Sequence, residues 1–239
     1  MVRAHSTLEF MPSILKKLNI SQYLGKYWAG AEAMYSVIIV MTFTSTLRSI
    51  SLVSVGLYST VLYSALYCCI AWGLADGCFY AWEDAYNANT HKVLIEDSKL
   101  EEKKPVAVSM VKEELDDTII GSIQENDREK LYDGIVGYLS KNKVKKESKS
   151  AFFRALPHYL LGTSVLAIGA GVIVLLPFLI IRGNLPLALR VSNVVGILAL
   201  FAIGYYRASG NRLSQRLSSG MVSALLGIII AVVTVLLGG

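Results

Sequence analysis

Charge is what this chain has least of. Asp, Glu, Lys and Arg make up 17% of its 239 residues, against about 25% in an ordinary soluble domain. Hydrophobic residues make up 54% and the mean hydropathy is +0.49. That much apolar surface has no place inside a water-soluble globule, which excludes one. Cysteine is nearly as scarce. Cys68, Cys69 and Cys78 lie in or beside one apolar run, and an odd number there excludes a disulfide framework. There is no CxxC, and His5, His91 and His158 are far apart, so nothing has the spacing of a structural zinc site. No compact apolar stretch follows Arg3 before Lys16, Lys17 and Lys26 interrupt, so a signal peptide is not expected. Nucleophile–base motifs, phosphate loops and clustered histidines are missing too, so neither an enzyme nor a resident cofactor is expected.

What is there is a set of long apolar runs. A membrane-spanning helix needs about 20 apolar residues. Five runs approach that: 30–47, 56–80, 155–181, 186–206 and 217–239. AIGAGVIVLLPFLII and SALLGIIIAVVTVLL do not alternate as barrel strands do, and backbone facing lipid must satisfy its own hydrogen bonds, which leaves helices. The expected fold is an all-α membrane protein with five transmembrane helices and a helical cytoplasmic insert between the second and third. Residues 1–29 read as an amphipathic lead-in, with Ile14, Leu18, Tyr23 and Trp28 at the interface. Residues 30–82 carry two spans, 83–154 the insert and 155–239 three spans. On this topology 20 of the 23 basic residues fall on the side of the N-terminus and insert. Without the insert the balance is still 7 against 3. The positive-inside rule then makes the N-terminus cytoplasmic, in a cell membrane or vacuole-like membrane.

Of the 18 acidic residues, 15 lie between Glu83 and Glu147. The run from Trp82 has no glycine or proline before Pro105, so it continues the second helix into water. Two amphipathic helices then follow, with apolar stripes Met110, Leu115, Ile119, Ile123 and Leu131, Ile135, Leu139. The lysine run 141–149 leads the chain back to an anionic leaflet. The insert's net charge is −2, which speaks against nucleic acid as a partner. In the acid cluster Glu113, Glu114, Asp116 and Asp117, Glu113 lies three residues from Asp116 and four from Asp117, so two carboxylates can share a helix face, a donor set that divalent cations accept. The same spacing also makes a solvated face of acid–lysine pairs, such as Lys112 with Asp116. No EF-hand spacing is present.

Two acids stand inside the apolar runs. Carboxylates are costly in lipid and belong in a bundle interior, a wet cavity or the interface. Asp76 shares a helical stripe with Cys69, Trp72, Tyr80, Glu83 and Asn87, which reads either as an ion path or as an interfacial carboxylate within an aromatic belt. Glu32 opens the first span. Met34 and Met41 lie one heptad apart on that span; with a carboxylate they suit a borderline metal, and they also suit packing. Gly162, Gly169, Gly171, Gly196 and Gly204 permit close helix contacts. His158 reads as interfacial.

Three stretches, IAWGLADGCFYAWEDAYN, VIVLLPFLI and GMVSALLGIIIAVVTVLLG, together with this layout, resemble the vacuolar iron transporter family. The resemblance covers most of residues 30–239 and lies in architecture and weak patterns. It implies a homodimer that exports divalent iron or manganese from the cytosol by proton exchange, with the acidic insert collecting metal. It carries Asp76 over to the family's second-helix glutamate, with Trp72 in the place of a methionine. The family's first-helix Asn-Asp-Gly element is missing from AEAMYSVIIV, where Glu32 is a positional stand-in. The metal residues expected are therefore Asp76, Glu32, Glu83, Glu113, Glu114, Asp116 and Asp117. The alternative is a non-transporting membrane protein whose charged insert binds a partner.

Overall fold

A computed structural model describes residues 25–48, 55–141, 150–181, 183–208, 210 and 212–236. Most of the lead-in and the lysine run 142–149 lie outside them. The described residues are helical, with no strand among them. We number the helices α1 (Gly25–Ser45), α2 (Val55–Asp97), α3 (Lys104–Asp116), α4 (Glu125–Lys141), α5 (Ser150–Ile180), α6 (Leu185–Arg207) and α7 (Leu213–Leu236). Short 3-10 turns occupy Thr46–Arg48, Glu101–Lys103 and Ile119–Ser122. The chain divides into two compact units, one of residues 1–80 and 155–239, the other of Ala81–Arg154.

Among the described residues, four helices are long and apolar enough to cross a membrane: Gly56–Asp97, Ala155–Ile180, Leu185–Arg207 and Leu213–Val233. The helix α1 has 21 residues but is not among the four. Glu32, Ser36, Thr42, Thr44 and Ser45 dilute its apolar content. Burial tells the complementary story. Val37, Val40, Met41, Thr44 and Glu32 of α1 are all fully buried, whereas α7 exposes Met221, Val222, Leu225, Ile229 and Val232. The long helix that falls short of a membrane span by composition is thus well enclosed by its neighbours, while α7 turns a broad apolar surface outward. That is the arrangement expected where the solvent is hydrocarbon.

Small residues set the helix spacing. On α2 the buried face repeats every four residues: Ala65, Cys69, Gly73 and Gly77. A methyl group at Gly73 would come 2.7 Å from the Ser164 Cα, and one at Gly77 would come 2.7 Å from the Leu160 Cα. So α2 and α5 touch backbone to backbone. The crossing is pinned by Thr163, whose hydroxyl donates to the Gly73 carbonyl at 2.5 Å. Tyr58 donates to the Phe178 carbonyl at 2.9 Å near the other end, so the two helices run antiparallel. Gly171 and Gly196 also make close contacts, with Cys69 and Met41 respectively. Gly204 accepts a hydrogen bond from Ser219 of α7 at 2.8 Å. Gly169 has open space beside it. Between α5 and α6 the chain turns through Gly183 at φ +87°, a conformation that favours glycine. Asn184 then caps α6, accepting from the Leu187 amide at 3.1 Å.

The second unit is held by its own core of Leu94, Ala107, Val111, Tyr132 and Val136. Two expectations are corrected here. The stripe Met110, Leu115, Ile119, Ile123 is broken, because α3 stops at Asp116 and Thr118 caps a 3-10 turn. Ile119 is 87% exposed. On α4, Leu131 faces outward while Tyr132 and Val136 are buried. The tyrosine can be inside because its hydroxyl donates to Asp116 Oδ1 at 2.6 Å, and a buried phenol needs such a partner. The helix α2 stops at Asp97, and Pro105 opens α3, where its missing N–H costs nothing.

A buried carboxyl pair as the candidate functional site

The site grows from α1 and α2 lying antiparallel. Trp28 packs edge-on against Tyr80, with ring centroids 5.8 Å apart. Tyr35 meets Trp72 at 6.2 Å, and the Cys69 sulfur lies 3.9 Å from the Ser36 carbonyl oxygen. This register carries Glu32 to Tyr80. The Tyr80 hydroxyl donates to Glu32 Oε1 at 2.7 Å. The other oxygen, Oε2, is buried without a hydrogen-bond partner. Asp76, one turn before Tyr80 on α2, is half-buried, and its carboxyl is close enough to Glu32 to interact with it. Tyr159 of α5 closes on the Tyr80 ring at 6.4 Å.

Arg207 of α6 packs on another face of α1 than the one that carries Glu32. Arg207 meets α1 at Gly30 and Met34, lies 3.8 Å from the Met34 sulfur and stacks over the Tyr27 ring at 3.6 Å. Residues two positions from Glu32 are about 200° around a helix from it. Two neighbouring carboxyls with little water repel when both are charged. A shared proton or a bound cation removes that repulsion. Proton exchange against cation binding is the chemistry this pair can do.

The other candidate residues are scattered. Glu83 is exposed on α2. Glu114 is paired with His91 across 2.8 Å. Asp116 is taken by Tyr132 and by Arg128 at 3.3 Å, so its role includes holding α4 to α3. Burial and the Asp116 carboxylate beside it raise the Tyr132 phenol above its usual value. Glu113 and Asp117 are exposed. Among the described residues no three His, Cys, Asp or Glu side chains come together as a metal centre would need. Met41 packs onto Gly196 and Met34 onto Arg207, so both serve as packing. The stripe expected on α2 is corrected as well: Trp72, Glu83 and Asn87 face outward, and the buried line runs through Cys69, Gly73 and Gly77.

Sequence reasoning missed Tyr80 as the partner of Glu32, and Ser36. Their positions gave a signal. Ser36 is four residues from Glu32 and Tyr80 is four from Asp76, so each polar residue shares a helix face with an acid. Comparison of the chain with protein-family models, with characterised proteins and with solved structures returns no match.

Proposed function

We propose that the protein is a transporter of divalent metal cations, iron or manganese, exporting them from the cytosol in exchange for protons. One observation carries the reading: a fully buried glutamate on an enclosed helix has one oxygen unpartnered and a second carboxyl beside it. Burying such a group costs several kcal/mol unless it is paired, roughly 2.5–3.5 kcal/mol even on the mildest insertion scales. A cation that visits the pair, or a proton when the cation has left, meets that cost. The resemblance to the vacuolar iron transporter family points the same way. It supplies Asp76 as the family's second-helix acid and a homodimer as the assembly.

On this reading α1 is the fifth span. It is enclosed by apolar helices, which is where a span that carries a carboxylate belongs. The N-terminus and the charged segment are cytoplasmic, and Glu113, Glu114 and Asp117 make a loose collecting surface. A second reading has an observation of its own. Asp116 and Glu114 are engaged within the charged segment, which favours a partner-binding segment on a membrane protein that does not transport.

Mn²⁺ binding by the purified chain separates the two. Titration followed by the paramagnetic resonance of free Mn²⁺ is expected to show metal taken up by wild type and lost in Glu32→Gln. No uptake by wild type favours the partner-binding reading. Substituting Glu113, Glu114 and Asp117 together is expected to raise the concentration for half-maximal flux without abolishing it.

A further inference from the structure

The four apolar helices differ in what they turn outward. Within their apolar stretches α5, α6 and α7 expose aliphatic side chains, such as Ile173 and Leu176, Leu198, and Leu225 and Ile229. The apolar stretch of α2 is different. It is the least apolar of the four and also the least buried within the chain, 17% enclosed against 22% in α7 and 44% in α5. Its outward stripe is Thr60, Tyr63, Tyr67, Ala71, Leu74 and Cys78, exposed residues three or four apart, a spacing that one helix face carries. Tyr63 and Tyr67 are 58% and 63% exposed, and their rings stack with centroids 6.2 Å apart. Tyr67 is two residues, about 200° around the helix, from Cys69 on the buried face.

Hydrocarbon suits this stripe poorly. Tyrosine belongs at the membrane interface, where its hydroxyl meets water. Tyr67 lies near the middle of the run 56–80, about 16 Å of helix from the nearer end, too deep for the phenol to reach water. Neither tyrosine hydroxyl has a hydrogen-bond partner among the described residues, and lipid tails offer none. A second copy of the chain does. Copies inserted with the same topology meet about a twofold axis along the membrane normal, which sets α2 parallel to its counterpart and brings each residue near itself. A phenol both donates and accepts, so paired tyrosines satisfy one another. Ala71 and Cys78 are small enough for the backbones to approach. From Thr60 to Cys78 the stripe runs about 27 Å, nearly the full hydrocarbon depth of about 30 Å. The four tyrosines of two copies bring on the order of 500 Å² of surface. With the other stripe residues the seam approaches the roughly 1,000 Å² of a specific interface.

We infer that this stripe is the surface on which two copies of the chain dimerise, through parallel α2 helices packed along Tyr63, Tyr67, Ala71 and Leu74. It gives the homodimer of the proposed function its interface, and it stands whether or not that dimer transports metal. Asp76 is two residues from both Leu74 and Cys78, so it turns away from the seam, and each copy keeps its own carboxyl pair.

The test uses the full chain in liposomes. Fluorescently labelled copies are diluted in lipid, and energy transfer between them gives the affinity of the dimer. Wild type is expected to dimerise. The double variant Tyr63→Phe, Tyr67→Phe keeps both rings and strips the hydroxyls. It should dimerise about tenfold more weakly, the scale of one or two interhelical hydrogen bonds in lipid. Contact is then read by oxidative crosslinking of chains that carry one cysteine each. Cys78 alone, and Ala71→Cys with the native three replaced, should give disulfide-linked dimers. Phe79→Cys, exposed but off the stripe, should not. A wild type that stays monomeric, a dimer as tight without the hydroxyls, or crosslinking at position 79 equal to that at 71 overturns the seam. Dimerisation along the stripe without Mn²⁺ flux upholds the seam and overturns transport; Mn²⁺ flux by a monomer does the reverse.

Discussion

Tyr132 measures what one hydroxyl contributes in the charged segment. Its ring is fully buried and its hydroxyl bonds to Asp116, which also receives Arg128. Tyr132→Phe keeps the ring and strips the bond, leaving Asp116 with the arginine. The expected cost is about 1–2 kcal/mol of local stability, read as faster amide hydrogen exchange in α3 and α4. The pH sign follows from the raised phenol. In the folded segment Tyr132 holds its proton above the ordinary value of 10.0, so its contribution is complete below pH 10 and is lost as pH rises through the folded value. Alkaline loss of α3–α4 protection in wild type should be shallower in Tyr132→Phe. Unchanged exchange would mean that the Asp116 bond contributes nothing. Glu32 poses the opposite case. Its environment is fixed by a single donor, Tyr80, and an acid, Asp76, so its interest lies in what it leaves unsatisfied.

At the scale of elements, the α2–α5 crossing depends on glycine. Gly77→Ala places a methyl 2.7 Å from the Leu160 Cα and 2.8 Å from the Thr163 hydroxyl. Helix propensity favours the alanine by about 1 kcal/mol, but the helices must separate or bend, at a cost of about 1–3 kcal/mol. The clash should win, lowering the melting temperature. Gly169→Ala, with nothing within 4 Å, should leave it unchanged or slightly raised. Equal melting temperatures for the two variants would count against the tight crossing. This contrast marks what was readable in advance. Runs of 20 apolar residues announce helices because length and hydropathy alone carry that signal, and the lone acids Glu32 and Asp76 stood out against it. Which glycine faces a neighbour is not readable, since Gly77 and Gly169 look alike within an apolar run. The inner line through Cys69, Gly73 and Gly77 was misplaced onto Trp72 and Glu83 for the same reason: in lipid, large apolar groups face outward and small ones inward. The stripe from Met110 to Ile123 misled because Thr118 ends the helix through its own hydroxyl, which donates to the Leu115 carbonyl and accepts from the Ile120 amide, a competition with the helix that the apolar spacing does not reveal.

At the scale of the whole molecule, the proposed five-span reading puts the ends of the chain on opposite sides of the membrane. In a background lacking Cys68, Cys69 and Cys78, single cysteines at the exposed Lys99 and at Gly239 should react with a membrane-impermeant reagent from opposite faces. Labelling from one face would leave an even number of spans and remove α1 from the membrane. The central claim is that two carboxyls, Glu32 on α1 and Asp76 on α2, form the place a metal ion passes. The most direct measurement is Mn²⁺ and Fe²⁺ flux into proteoliposomes across a proton gradient, for wild type and for Asp76→Asn. The amide keeps the size and hydrogen bonding and removes the charge that draws a cation. Metal flux in wild type and its loss in a folded Asp76→Asn is the predicted result; wild-type flux that Asp76→Asn matches would contradict the account.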